Sequence, residues 1–266
     1  MRHLMLKIAF AAVAILLQTL TGVACTCAPT VSVLDEYERA QLVVIARVTS
    51  VQKKEQNQKE TYGDDVRSQL VVEKVYKGDI QAGQALVFAQ GSGTDCTWSF
   101  WDDLVGERVL LYLQTPRAGS DWRVSSCGRS TAVKNATEDL LYLDKMDQRR
   151  GKTRVSGRYV KGFYSGELTI AGKKIRIVGE SQTYETTTDE HGVFEIYDLP
   201  PGDYRLEPEL QAGLIVDRDW LWTSNDAIRE KSTDTSVAFT LKPHKHVSFQ
   251  LAFKPKGQKW GTSRPN

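Results

Sequence analysis

Short apolar and β-branched runs separated by Gly-rich or charged turns make up most of this chain, and that pattern predicts strands rather than helices. Gln41-Leu-Val-Val-Ile-Ala-Arg-Val48 is β-branched and apolar on both faces at its start. Further strands are predicted at 68–76, 84–89, 107–113 and 122–126, with turns at Lys77-Gly-Asp79, Gly91-Ser-Gly93 and Pro116-Arg-Ala-Gly119. Residues 52–65 are polar, charged and aperiodic, so they read as an exposed hairpin loop. Only two stretches read as helix. Ser32-Val-Leu-Asp35 resembles a capping box and opens a short helix to about Ala40. Asn135 with Glu138 is a second capping pair, and Ala136, Leu140 and Leu143 then share one helical face, which predicts a helix over 136–147.

A change follows at Asp147-Gln-Arg-Arg-Gly-Lys-Thr153, which is charged and contains glycine, as a linker would. Beyond it, short strand candidates crowd the chain at 154–160, 167–170, 174–178, 182–187, 193–197, 202–207, 236–241 and 246–253. Asp189-Glu-His-Gly192 fits a hairpin turn, and Pro200-Pro-Gly202 is a rigid bend between strands. Residues 213–233 carry no clear period and read as a long connection. The pattern predicts an all-β protein with short helices. A five-stranded barrel of the OB type spans 25–148, a linker 149–153, a β-sandwich 154–254 and a flexible basic tail 255–266.

The first residues stand apart. Arg2 and Lys7 precede an apolar run from Ile8 to Leu17, and Gly22-Val23-Ala24 offers small residues where a signal peptidase reads. Residues 1–24 therefore read as a secretory signal, too short to span a bilayer stably, and the protein is expected outside the cytoplasm, secreted or periplasmic. Cleavage removes two positive charges, so the net charge of +2 becomes zero. That balance gives no electrostatic reason to expect nucleic acid as a partner. Lys254, Lys256, Lys259 and Arg264 read as a solvated end.

All four cysteines, Cys25, Cys27, Cys96 and Cys127, lie in the first half, and in an exported chain they read as two disulfides. A Cys25–Cys27 bridge would close a strained loop. Both remaining pairings tie the mature N-terminus to distant points. Loops of about 70 and 100 residues would each stabilise the fold by roughly 4 kcal/mol. A free α-amino group at Cys25, with a pKa of about 7.7–8.0, and the carbonyl of the same residue can chelate a metal. Such a chelate suits the open position of a catalytic zinc.

Cys25-Thr26-Cys27-Ala28-Pro29 resembles the mature start of the tissue inhibitors of metalloproteinases (TIMP). Leu42–Val48 is similar to the first barrel strand of that family and of the wider netrin-like module. The resemblance covers about residues 25–147 and implies the pairs Cys25–Cys96 and Cys27–Cys127. It further implies that the Cys25 amine and carbonyl chelate the zinc of a partner metalloprotease and that Thr26 enters its specificity pocket. Cys27, Ala28 and Pro29 would extend the inhibitory ridge, and Thr94 and Asp95 would lie beside it. The chain departs from the family in lacking a third disulfide and the cysteine-rich second domain, and in carrying the charged Asp95 there.

In the second half, Thr186-Thr-Thr-Asp-Glu-His-Gly-Val-Phe194 and Leu199-Pro-Pro-Gly-Asp-Tyr204, with Gly157 and Ile170–Ile175, resemble the prealbumin-like carboxypeptidase regulatory domains, which are accessory modules. His244 and His246 read as surface histidines and His191 as a solvated turn residue. Trp98 and Trp101 are expected to pack around a disulfide. Trp220-Leu-Trp222 reads as core, with a sugar- or partner-binding patch as the alternative. No catalytic serine or cysteine arrangement, phosphate-binding loop or HExxH motif is present, so no enzyme and no cofactor is expected. The expectation is a secreted inhibitor of zinc metalloproteases. The alternative is a non-inhibitory extracellular or cell-envelope protein-binding module, membrane-attached only if Cys25 is lipidated.

Overall fold

The computed structural model describes residues 31–52, 67–89, 96–100, 102–114, 116, 121–160, 170–218, 221–224, 227–228 and 231–258. The expected signal segment, Cys25 to Pro29, Thr94, Asp95, Trp101, Trp220 and residues 259–266 lie outside them, as do most of the 52–65 loop and of the 167–170 strand.

The N-terminal half opens with α1 (Val33–Arg39). Ser32 caps it as its sequence predicts: its Oγ accepts from the Asp35 N–H at 3.1 Å and donates to the Asp35 carboxylate at 2.8 Å. Strands β1 (Leu42–Gln52), β2 (Arg67–Lys77), β3 (Ala85–Ala89), β4 (Arg108–Leu113) and β5 (Thr131–Ala132) form one antiparallel sheet in the order β3-β2-β1-β4-β5. Helices α2 (Thr137–Leu143) and α3 (Met146–Arg149) follow.

β1 is central and apolar on both faces for a reason the sequence alone does not reveal. Val44, Ala46 and Val48 pack with Leu70, Phe88 and Leu111 on one side. Val43 and Ile45 pack with Val33, Tyr112, Tyr142 and Leu143 on the other. Helices, rather than barrel curvature, cover the second face. Edge strands β3 and β5 do not pair with each other, so the expected closed barrel is corrected to an open sheet among the described residues. The expected 122–126 strand joins only through isolated bridges, Phe88 to Trp122 and Thr97 to Ser125.

The expected Asn135–Glu138 capping pair does not form. The N-cap of α2 is Ala136, with no side-chain bond, and Glu138 turns inward instead.

The C-terminal half comprises β6 (Arg154–Tyr159), β7 (Lys174–Val178), β8 (Thr183–Thr187), β9 (Val193–Tyr197), β10 (Gly202–Pro208), β11 (Leu214–Val216), β12 (Trp222–Thr223), β13 (Ala227–Ile228), β14 (Val237–Leu241), β15 (His246–Leu251) and β16 (Phe253–Pro255). One sheet runs β13-β14-β10-β7-β8, the facing one β12-β15-β6-β9, and β11 pairs with β16. Val155, Ile175, Ile177, Phe194, Leu206, Phe239 and Phe249 fill the core of this sandwich-like arrangement. Gly157 belongs to it for a steric reason. A Cβ there would lie 2.7 Å from both the Phe194 ring and the Phe249 carbonyl oxygen.

The 189–192 turn is tied by Asp189, whose carboxylate accepts from His191 and Val193, and Gly192 takes φ +76°. Within 213–233, three short strands replace the expected long connection. Lys254 is not part of a solvated tail: it sits in β16 and pairs with buried Asp217 at 2.9 Å.

Candidate binding cleft between the two halves

β6 reads Arg-Val-Ser-Gly-Arg-Tyr and β15 reads His-Val-Ser-Phe-Gln-Leu. Period two sends Val155, Val247, Phe249 and Leu251 into the sandwich core. Arg154, Ser156 and Arg158, with His246, Ser248 and Gln250, must then face outward. The two strands pair in parallel, so these residues stand in rows: His246 beside Arg154, Ser248 beside Ser156, and Gln250 beside Arg158. β12 extends the last row, because Trp222 is the partner of Gln250.

The first two rows are sealed by α2 and its neighbours. Arg154 is fully buried. Its guanidinium donates to the Glu195 carboxylate at 2.9 Å and to the Glu138 carbonyl at 3.2 Å, and lies 5.2 Å from the Tyr142 ring centroid. Ser156 donates to the Glu138 carboxylate at 2.6 Å and contacts Ser248 Oγ at 3.1 Å. Arg129 holds Glu138 and Asp139 from the other side, at 3.0 and 2.7 Å, and Tyr112 donates to Asp139 at 2.8 Å. Arg149 closes the network on Glu195 at 2.6 Å and also donates to the Leu141 carbonyl.

Burial by itself would push the Glu138 carboxyl up. Arg129 and Arg154 overcome it and hold the pKa down at about 2, so the group is ionised and paired. Burial, and then the facing Arg154, push His246 the opposite way, to about 3, so its imidazole is neutral. It stacks edge-on against Tyr142 at 4.8 Å, and by geometry neither ring nitrogen has a close hydrogen-bond partner among the described residues. The expectation that His246 is a surface residue is corrected. His244 is exposed, takes φ +56° and contacts the Gly151 carbonyl at 2.9 Å.

The seam is not a free linker. Arg149 is paired, Thr153 is buried and donates to the Leu199 carbonyl at 2.7 Å, and Lys245 reaches back to Asp35 on α1 at 3.1 Å.

The third row emerges from under α2 into a cleft of about 210 Å³ walled by both halves. Trp222 stands at it 44% exposed, which corrects its expected place in the core; Leu221 beside it is buried instead. Arg158 crosses to the Asn135 carbonyl at 3.4 Å. The lining carries Arg129 and Arg158 against Glu138 and Asp139, and is otherwise mostly hydroxyl and amide. Among the described residues no group of three or more His, Cys, Asp or Glu could hold a metal, and no helix is long and apolar enough to cross a membrane.

No family model matches the chain, and no curated protein does. Among solved structures it is similar to a *Mobiluncus mulieris* adhesin carrying disulfide, isopeptide and ester cross-links, at 12% identity and TM-score 0.29, over 73% of this chain and 61% of that one. It is also similar to GBS52, the minor pilin of *Streptococcus agalactiae*, at 14% and 0.27, over 85% and 87%. A streptococcal ancillary pilin follows at 12% and 0.28, over 65% and 51%. The chain spans 61% of the adhesin and about half of the ancillary pilin.

These findings correct the expected kinship. Neither the TIMP or netrin resemblance nor the carboxypeptidase-regulatory one is matched by a family model, and the N-terminal sheet is open among the described residues. Metalloprotease inhibition falls with the resemblance, as do a zinc metalloprotease as partner and the Cys25 amine as zinc ligand. Likeness at such TM-scores carries nothing about the ligand of this chain.

Of the residues singled out from the sequence, Cys25, Thr26, Cys27, Ala28, Pro29, Thr94 and Asp95 lie outside the described residues. Cys96 and Cys127 are described, and both are disulfide-bonded. Trp98 packs on Phe100 at 5.1 Å within the N-terminal core. The sequence reading missed the charge network altogether. The signal was present in the arginines of β6, alternating with apolar residues on a strand that looked half-solvated.

Proposed function

We propose that this is an exported, non-enzymatic binding module of the cell surface or extracellular space, and that its ligand site is the cleft beside Trp222. The observation that carries the reading is Trp222 itself, a large apolar side chain held open to solvent at a polar concavity built by two bolted halves. Export is supported by the signal pattern of residues 1–24 and by the disulfide-bonded state of Cys96 and Cys127, which needs an oxidising compartment. The pairs Cys25–Cys96 and Cys27–Cys127 and a division near residues 149–153 belong to the proposal. A binding rather than catalytic role is supported by the buried ionisable groups, whose charges are spent on one another.

The test compares the mature protein with its Trp222→Ala variant for retention on insoluble cell-envelope and extracellular-matrix material. Retention that depends on Trp222 supports the reading, and equal behaviour of the two overturns it. Intact mass of the exported protein should start at Cys25 with all four cysteines oxidised. An acyl group on Cys25 would overturn the pairing.

A further inference from the structure

We propose that the Trp222 cleft binds a neutral sugar ring, an inference that rests on the binding-module reading and names its ligand class. Trp222, Gln250 and Arg158 are partners in register across β12, β15 and β6, so their side chains stand in one row on one face of the sheet. That row sets an indole plane beside an amide and a guanidinium. The indole offers a flat apolar face to the axial C–H groups of a pyranose, and its neighbours offer hydrogen bonds to the equatorial hydroxyls.

Across the cleft, Thr131 and Asn135 present a further hydroxyl and amide. The side chains of Thr131, Asn135 and Gln250 have no hydrogen-bond partner among the described residues. A cleft that leaves so many donors and acceptors uncommitted beside an exposed aromatic is suited to a polyhydroxylated ligand.

Charge and size exclude the competing classes. The two arginines of the lining are balanced by Glu138 and Asp139, and Arg129 is already consumed by both carboxylates. An anion would approach those carboxylates with a single available guanidinium. A lipid would leave the hydroxyls and amides unsatisfied. A peptide adding to the sheet edge would find only two residues in β12. The volume of about 210 Å³ is below the ~300–1,000 Å³ of sites for drug-sized ligands, so the cleft takes one ring of a chain at a time.

The test titrates the mature full-length protein with chitobiose, cellobiose and lactose, followed by tryptophan fluorescence and calorimetry, with glucuronic acid and sialyllactose as charged comparators. A neutral disaccharide should bind with a Kd of about 0.1–1 mM, as expected for a small contact. Trp222→Ala should weaken it at least tenfold, Gln250→Ala three- to tenfold, and neither should change the melting profile. Tighter binding of a charged sugar, or binding unaffected by Trp222→Ala, would overturn the inference. So would silence towards all three neutral disaccharides. If the protein then still held envelope material through Trp222, the sugar assignment alone would fall; if it held none, the binding-module reading would fall with it.

Discussion

The outward face of the β12-β15-β6-β9 sheet has two ends that share strands, alternation and polarity, yet meet different fates. At one end Arg154, Ser156, Ser248 and His246 lie buried under α2, with every carboxylate matched to an arginine. At the other, Gln250, Arg158 and Trp222 line an open cleft. The sealed end must satisfy its charges internally, because a buried ion without its partner costs several kcal/mol. The open end faces no such demand and can keep polar groups uncommitted. The buried network and the proposed recognition site thus share one face of the sheet.

That contrast can be broken most severely at Arg154. Arg154→Ala takes one cation from buried Glu138 and from half-buried Glu195, and should cost about 3–5 kcal/mol in denaturant unfolding. Next comes the apolar side of the same strand. Gly157→Ala sets a Cβ at 2.7 Å from the Phe249 carbonyl, a backbone atom that cannot swing away, and should cost about 1–3 kcal/mol.

A smaller effect separates the ends by pH. The folded pKa of His246, about 3, lies below its ordinary value of 6.5, so the unfolded chain takes up a proton first as pH falls. Stability should therefore decline from about pH 6.5 towards 3, by roughly 1–2 kcal/mol at pH 5. His246→Phe should flatten that decline between pH 6.5 and 4.5. Below it, Glu138 adds its own loss, since its depressed pKa contributes stability above about 4.5 that disappears towards 2. An unchanged slope in His246→Phe would show that the imidazole is not held neutral in the folded state. The smallest effect belongs to the open end: Trp222→Ala should change unfolding free energy by no more than about 0.5 kcal/mol.

Much of the fold was legible from local pattern. The Ser32 cap and strands β1–β4, β7 and β9 lie where alternation and turn chemistry place them, whereas the Asp189–Gly192 turn forms but crosses between two sheets instead of closing the expected hairpin. The open form of the N-terminal sheet was not legible. The doubly apolar β1 demands cover on both faces, but sequence cannot say whether curvature or helices supply it. The Asn135–Glu138 pair failed because a tertiary demand, the two arginines beside Glu138, outweighed a local capping bond worth about 1 kcal/mol. Trp222 was read as core because its neighbour Leu221 is core, and adjacent residues on a strand face opposite ways.

The sequence by itself determined which side chains share a face, since strand geometry allows one choice: Arg154, Ser156 and Arg158 together, Val155 and Tyr159 opposite them. It could not determine what lies above that face. The parallel pairing of β6 with β15 joins segments some ninety residues apart, and α2 settles on only part of the result. Those contacts exist only once the chain is folded, and they alone decide which polar residues become a buried bolt and which remain open to a ligand.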